Sequence, residues 1–232
     1  MTTTSTHQGG QSLVLGNRRR RWQWMVAAAS AVVILLMMIA LLPAPAAPFF
    51  QGLDAWWHSI ATAPADYKVA GVVSLLDAFG RPPGIVVFLV IMIALATARR
   101  WWAVLFTLLC FLVPSLLAQV VKNVVDRPRP ADPFVIVDHG SFPSGHCVQT
   151  AAFVILIGVL LSPKVRRYWW PVGIAFVLAM MWSRTFLAAH WLSDTFAGAV
   201  LGTGTALLLW WLFAPLLARD DARRAGRKQA SA

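Results

Sequence analysis

Twelve residues, Ser183-Arg-Thr-Phe-Leu-Ala-Ala-His-Trp-Leu-Ser-Asp194, set an arginine, a histidine and an aspartate between two long apolar stretches. His190 and Asp194 are four apart, a spacing that puts both on one face if the stretch is helical. A carboxylate there can take the proton of one ring nitrogen and leave the other bare, as a base or a nucleophile. Arg184 adds a permanent cation suited to phosphate oxygens. Two other clusters carry compatible chemistry. Lys122 and Arg129, in Lys122-Asn-Val-Val-Asp-Arg-Pro-Arg129-Pro130, can converge on a phosphate dianion, one as a point charge and one as a bidentate fork. Pro143-Ser144-Gly145-His146 precedes an apolar run. A Ser-Gly turn at a helix start offers a hydroxyl and free backbone N–H groups to an anion, and His146 can act as a general acid. Taken singly, each cluster also fits a plainer reading as a helix cap or as interfacial cations.

The elements that must position these residues are membrane helices. Of 232 residues, 59% are hydrophobic and 12% charged, which is too apolar for a soluble domain. All nine acidic residues are Asp. The net charge of +11 does not point to nucleic acid, because Arg and Lys flank the apolar runs. Cys110 and Cys147 have neither metal-site nor disulfide-framework spacing.

The sequence predicts an all-α polytopic bundle of six spans, at about 22–42, 84–98, 101–121, 147–161, 168–183 and 194–217, with short interfacial helices within 49–83. The domain scheme is a disordered tail over 1–21, a six-span domain over 22–217 with a polar loop at 122–146, and a basic tail over 218–232. The basic clusters Arg18–Arg21, Arg99-Arg100, Lys164 to Arg167 and Arg219 to Lys228 place both tails in the cytoplasm. The loop 122–146 and the stretch 184–194 then meet on the outer face of the cell membrane. Arg127 is read as structural or solvated, and Asp126, Asp132 and Asp138 as partners of loop cations. His139 is read as a loop or substrate-tuning residue.

Lys122-x6-Arg129-Pro130, Pro143-Ser144-Gly145-His146 and Ser183-Arg184-x5-His190-x3-Asp194 resemble, in order and spacing, the three signatures of the type 2 phosphatidic-acid phosphatase family, whose superfamily also holds vanadium haloperoxidases. The motif-bearing region runs from Lys122 to Asp194, and residues 43–83 carry no signature. The resemblance implies a membrane lipid phosphatase that needs no cofactor or metal. It implies His190 as nucleophile forming a phosphohistidine, Asp194 orienting it, and His146 protonating the leaving oxygen. Lys122, Arg129, Arg184, Ser144 and Gly145 would hold the phosphate. The expected substrate is a membrane lipid phosphate, first a polyprenyl diphosphate, with phosphatidic acid or phosphatidylglycerophosphate as alternatives. No nucleic-acid partner is expected, and the oligomeric state is left open. Two readings compete: a non-catalytic anionic-lipid binding or transport protein, and vanadate-dependent halide oxidation on the same pocket.

Overall fold

The computed structural model describes the backbone of residues 5–230 and the side chains of residues 21–224. Over this range the chain is all-helical: α1 (Ser5–Leu41), α2 (Gln51–Ala61), α3 (Gly71–Phe79), α4 (Pro82–Thr97), α5 (Trp101–Val125), α6 (Gly145–Leu160), α7 (Pro163–Phe186) and α8 (Leu192–Ala230). Most of the 1–21 tail falls outside the described side chains, though α1 is assigned from Ser5, and α8 runs on through the basic residues to Ala230.

Local chemistry sets the boundaries. Proline opens α4 and α7, where its missing N–H would have no helical partner anyway. α5 continues through Pro114 and stops at Asp126, whose left-handed conformation (φ 40°) turns the chain into the polar loop. Two short helices, α2 and α3, occupy the segment in which interfacial helices are expected.

Among the described residues, three helical segments are long and apolar enough to cross a membrane: Arg21–Leu41, Trp101–Val125 and Leu192–Arg224. α3 and α4 meet the same criterion as a pair, bent by 64° at the break between them, the shape of a broken span or a re-entrant loop. α6 is apolar but only 16 residues long. α7 has 24 residues, but its first turns hold Lys164, Arg166 and Arg167. Large apolar side chains such as Leu36, Ile93, Leu116 and Leu178 face outward along these helices, as lipid-facing residues of a multi-pass membrane protein do.

α8 is the central element and packs most extensively against α1, α6 and α5. Its Gly198 and Gly202 explain the α6 contact. A Cβ at Gly198 would lie 2.5 Å from the Ser144 carbonyl oxygen, and one at Gly202 2.1 Å from that of Val148. The small-residue stripe thus lets two backbones touch, which is how helices associate where the surroundings are as apolar as the side chains. The approach also fixes where α6 begins relative to α8. A core of Phe88, Phe106, Cys110, Leu156 and Ala206 fills the space between α4, α5, α6 and α8. At the end away from the polar loop, the Asp220 carboxylate caps α5 by accepting the Trp102 and Ala103 N–H groups at 2.9 and 3.1 Å.

Candidate active site

The loop 126–144 is closed on itself by a backbone bond and tied to the residues just before α8 by a side-chain bond. Ser141 N–H donates to the Arg127 carbonyl at 2.7 Å, and Trp191 Nε1–H to that of Pro128 at 2.9 Å. Across from it, α7 ends at Phe186 and the chain folds back through Ala188 (φ 51°), so that Ala189 and His190 both donate N–H to the Arg184 carbonyl. Ala188-Ala189 gives no turn signal; the turn is held from outside, by Phe134 N–H on the Leu187 carbonyl and by Arg129 on the Ala189 carbonyl. His190 and Asp194 therefore do not share a helix, and the one-face arrangement that a helical stretch would have given does not apply. His190 precedes α8 and Asp194 lies in its first turn.

These elements enclose a cavity of about 470 Å³ whose wall includes Lys122, Arg129, Gly145, His146, Arg184 and His190. Six residues expected at the site, from four segments of the chain, meet on one space. Ser144 and Asp194 pack behind them, both fully buried. Ser144 is the N-cap of α6 without a side-chain cap bond, and its backbone N–H donates to the Asp194 carbonyl at 3.0 Å.

The hydrogen bonds of His190 define its reactive atom. Nδ1 lies 2.8 Å from the Ser141 carbonyl oxygen, an atom that can only accept, so Nδ1 carries the proton. Nε2 then keeps its lone pair, and it sits 3.2 Å from Arg129 Nη1. Burial pushes the His190 pKa well below its ordinary value, and the charges of Arg129, Arg184, Lys122 and His146 add to the effect. The ring is thus held neutral with Nε2 unprotonated, its lone pair accepting from Arg129 until a phosphate takes that donor, the protonation state required of a nucleophile. Asp194 Oδ2 stands 3.8 Å from Nδ1, so the Ser141 carbonyl, and not Asp194, makes the direct bond.

The cations are only partly neutralised. The Asp138 carboxylate, on a half-exposed side chain, meets Lys122 Nζ at 3.1 Å and also bonds Arg129 Nη2. Burial works to raise the Asp138 pKa, but Lys122 and Arg129 outweigh it and hold the carboxyl below its ordinary value. Arg184 Nη1 and Arg81 Nε each contact Asp77 at 2.6 Å. Arg81 also lines the cavity. Four cations (Lys122, Arg129, Arg184, Arg81) face two carboxylates (Asp138, Asp77), leaving an excess of two positive charges, the complement of a phosphate dianion.

Two features of the site have little sign in the sequence. Arg127 is buried, with 0% of its side chain exposed. Its Nη1 bonds Asp194 Oδ1 at 2.7 Å and its Nη2 bonds Asp54 Oδ2 at 2.8 Å, with Gln51 and Ser193 completing the fork. The other Asp194 oxygen accepts the Trp191 N–H at 2.9 Å. Asp77 is the second such feature. Both Asp54 and Asp77 belong to the segment without motifs, but Asp77 stands alone in the apolar run Val72 to Phe79, and a lone intramembrane charge is a usable signal.

Residues 100–217, just over half of the chain, match the PAP2 superfamily, and the chain belongs to that superfamily. Among curated relatives, it is 33% identical over 115 residues to the decaprenylphosphoryl-5-phosphoribose phosphatase of Mycobacterium tuberculosis (47% of this chain, 60% of the relative). It is 33% identical over 122 residues to phosphatidylglycerophosphatase B of Bacillus subtilis (49% and 58%). It is 32% identical over 107 residues to an undecaprenyl-diphosphatase of Sulfolobus acidocaldarius (42% and 49%). The chain thus spans about half to three-fifths of the length of these relatives. Its fold resembles that of a transmembrane PAP2 type phosphatidylglycerolphosphate phosphatase from Bacillus subtilis, with a TM-score of 0.65 at 23% identity over 77% of this chain and 92% of that one. It also resembles Aquifex aeolicus LpxE, with a TM-score of 0.52 at 17% identity over 68% and 93%.

Proposed function

We propose that this protein is a membrane lipid phosphatase working through a phosphohistidine. The observation that carries the reading is His190, with Nδ1–H fixed on the Ser141 carbonyl and Nε2 unprotonated beside Arg129, among cations that exceed their carboxylates. In the first step Nε2 attacks phosphorus, the bond to the leaving oxygen breaks, and His146 gives that oxygen its proton. In the second, water attacks the phosphohistidine, His146 takes the proton of the water, and the P–N bond breaks to release inorganic phosphate. Lys122, Arg129 and Arg184 hold the phosphoryl oxygens through both steps, with Ser144 and the Gly145 backbone at the start of α6. Asp194 steadies the imidazole's charge from 3.8 Å.

In this reading α1, α3–α4 and α5 to α8 make six crossings, both ends of the chain are cytoplasmic, and the cavity opens on the outer face of the cell membrane. A lipid substrate is supported by the cavity's neighbour. A cleft of about 250 Å³ shares Gly80, Arg81, Pro82, Ser115 and Gln149 with it and is walled by Phe79, Ile85, Phe88 and Phe111. A headgroup can occupy the polar space while the tail leaves between α4 and α5. The favoured substrate is a polyprenyl-linked phosphate or diphosphate, and two of the relatives are named for such lipids.

The test is phosphate release by the detergent-purified protein, with chelator present, from a polyprenyl diphosphate, a polyprenyl phosphosugar, phosphatidic acid and phosphatidylglycerophosphate. Release from the polyprenyl lipids, abolished in His190→Ala, is the expected result. Release from no lipid, with vanadate still bound, would replace the reading with a non-catalytic anion-binding protein.

A further inference from the structure

The acid half of the reaction has an anchor outside the family-matching segment. His146 Nε2 is 3.1 Å from the backbone carbonyl of Asp77 and 3.5 Å from its carboxylate. The carbonyl can only accept, so Nε2 carries a proton, and Nδ1 remains as the nitrogen that can exchange one with a bound substrate. The same carboxylate holds Arg184 Nη1 and Arg81 Nε, both at 2.6 Å. The contact is also steric. A Cβ at Gly80 would lie 2.0 Å from His146 Cδ2 and 2.5 Å from Nε2, so the end of α3 lies flat against the ring. Only a residue without a side chain permits this approach.

We propose that Asp77 is a positioning residue that holds His146 as the proton donor and aligns Arg184 with the phosphate, so that the corner between α3 and α4 governs departure of the leaving group. With Nε2–H held on Asp77, the proton that His146 carries on Nδ1 in its acid form passes to the leaving oxygen as the P–O bond breaks. Because Arg184 shares the carboxylate, the acid and the phosphate clamp are set by one group. This inference rests on the phosphatase reading above.

The test separates acid catalysis from phosphate holding. A long-chain alkyl phosphate needs its leaving oxygen protonated; a 4-alkylphenyl phosphate of matched chain length releases a stabilised phenolate and needs it much less. Both are presented to the full-length protein in the same detergent micelles. Asp77→Asn is expected to lower kcat/KM, which reports the steps up to leaving-group departure and not the shared hydrolysis of the phosphohistidine, by about 10²-fold on the alkyl ester and by less than about tenfold on the aryl ester, the smaller loss reporting Arg184. Gly80→Ala should give the same asymmetry, because φ −85° at Gly80 suits alanine and the three atoms nearest to the added Cβ all belong to the His146 ring. Should Asp77→Asn fail to fold, Gly80→Ala decides alone. Equal losses on both esters, or no loss on either, would overturn the proposal. Hydrolysis of neither ester by the wild-type protein would instead overturn the phosphatase reading.

Discussion

Arg127 and Arg129 stand two residues apart on either side of Pro128, and the fold uses them in opposite ways. Arg127 is enclosed by two carboxylates, Asp54 and Asp194, and faces the rings of Phe50 and Trp191 at 5.6 Å. Arg129 shares the single carboxylate of Asp138 with Lys122 and reaches into the cavity beside His190. The first cluster carries one negative charge too many and the second one positive charge too many. Residue type therefore says little about role here. What separates a structural guanidinium from an anion-binding one is how many carboxylates the fold brings to it.

The comparison fails if both arginines behave alike on substitution. Arg127→Ala should cost about 3–5 kcal/mol of stability, because it strands two buried carboxylates, and a large fall in melting temperature in detergent would register it. Arg129→Ala should lower the melting temperature far less than Arg127→Ala, since it gives up the bond to the Ala189 carbonyl but strands no buried carboxylate, while kcat/KM for phosphate release falls by about 10²- to 10³-fold, as expected when a donor to transition-state charge is lost. Arg129→Lys keeps the charge but loses the fork, and a loss of about tenfold is expected in the same assay. Asp138→Asn sharpens the contrast from the other side. It frees Lys122 and Arg129 of their one counter-charge, and competitive inhibition by inorganic phosphate should tighten by a few-fold.

The smallest effect is on pH dependence. His190 has a folded pKa below its ordinary 6.5, so the unfolded chain takes up a proton there before the folded chain does. Stability contributed by the neutral ring is fully present above pH 6.5 and declines as pH falls through and below it. A plot of melting temperature against pH should slope downward on the acid side, and His190→Ala should flatten that part of the slope. Arg129→Gln should flatten it partly, since its charge is one of those keeping the ring neutral.

The motif residues were legible because their types and order are dictated by the chemistry of holding phosphate, and six of them meet on one cavity. Their helical setting was less legible. Thr185 to Asp194 contains no Gly or Pro, so nothing local announces the turn at Ala188; bonds from Arg129 and Phe134, far away in sequence, hold it. The carboxylates that complete the network were not assigned for the same reason. Asp54 and Asp77 find their arginines across 73 and 107 residues, and no local spacing encodes such a pairing. The sequence leaves Arg127 as structural or solvated, because an arginine between Asp126 and Pro128 in a polar loop carries no sign of the carboxylates that bury it. Span counting depends on length and hydropathy, which are clear for α1, α5 and α8 and divided for α6 and α7.

Both fully buried guanidiniums, Arg127 and Arg184, belong to the segment 100–217, whereas Asp54 and Asp77, which balance them, lie before it. The segment is therefore not portable by itself. A chimera joining residues 100–217 to the first half of another superfamily member would leave Arg184 without its carboxylate and Arg127 with Asp194 alone, unless that half offers acids at the same two places. Compatibility between halves should thus follow the positions of two aspartates, whatever the overall sequence identity.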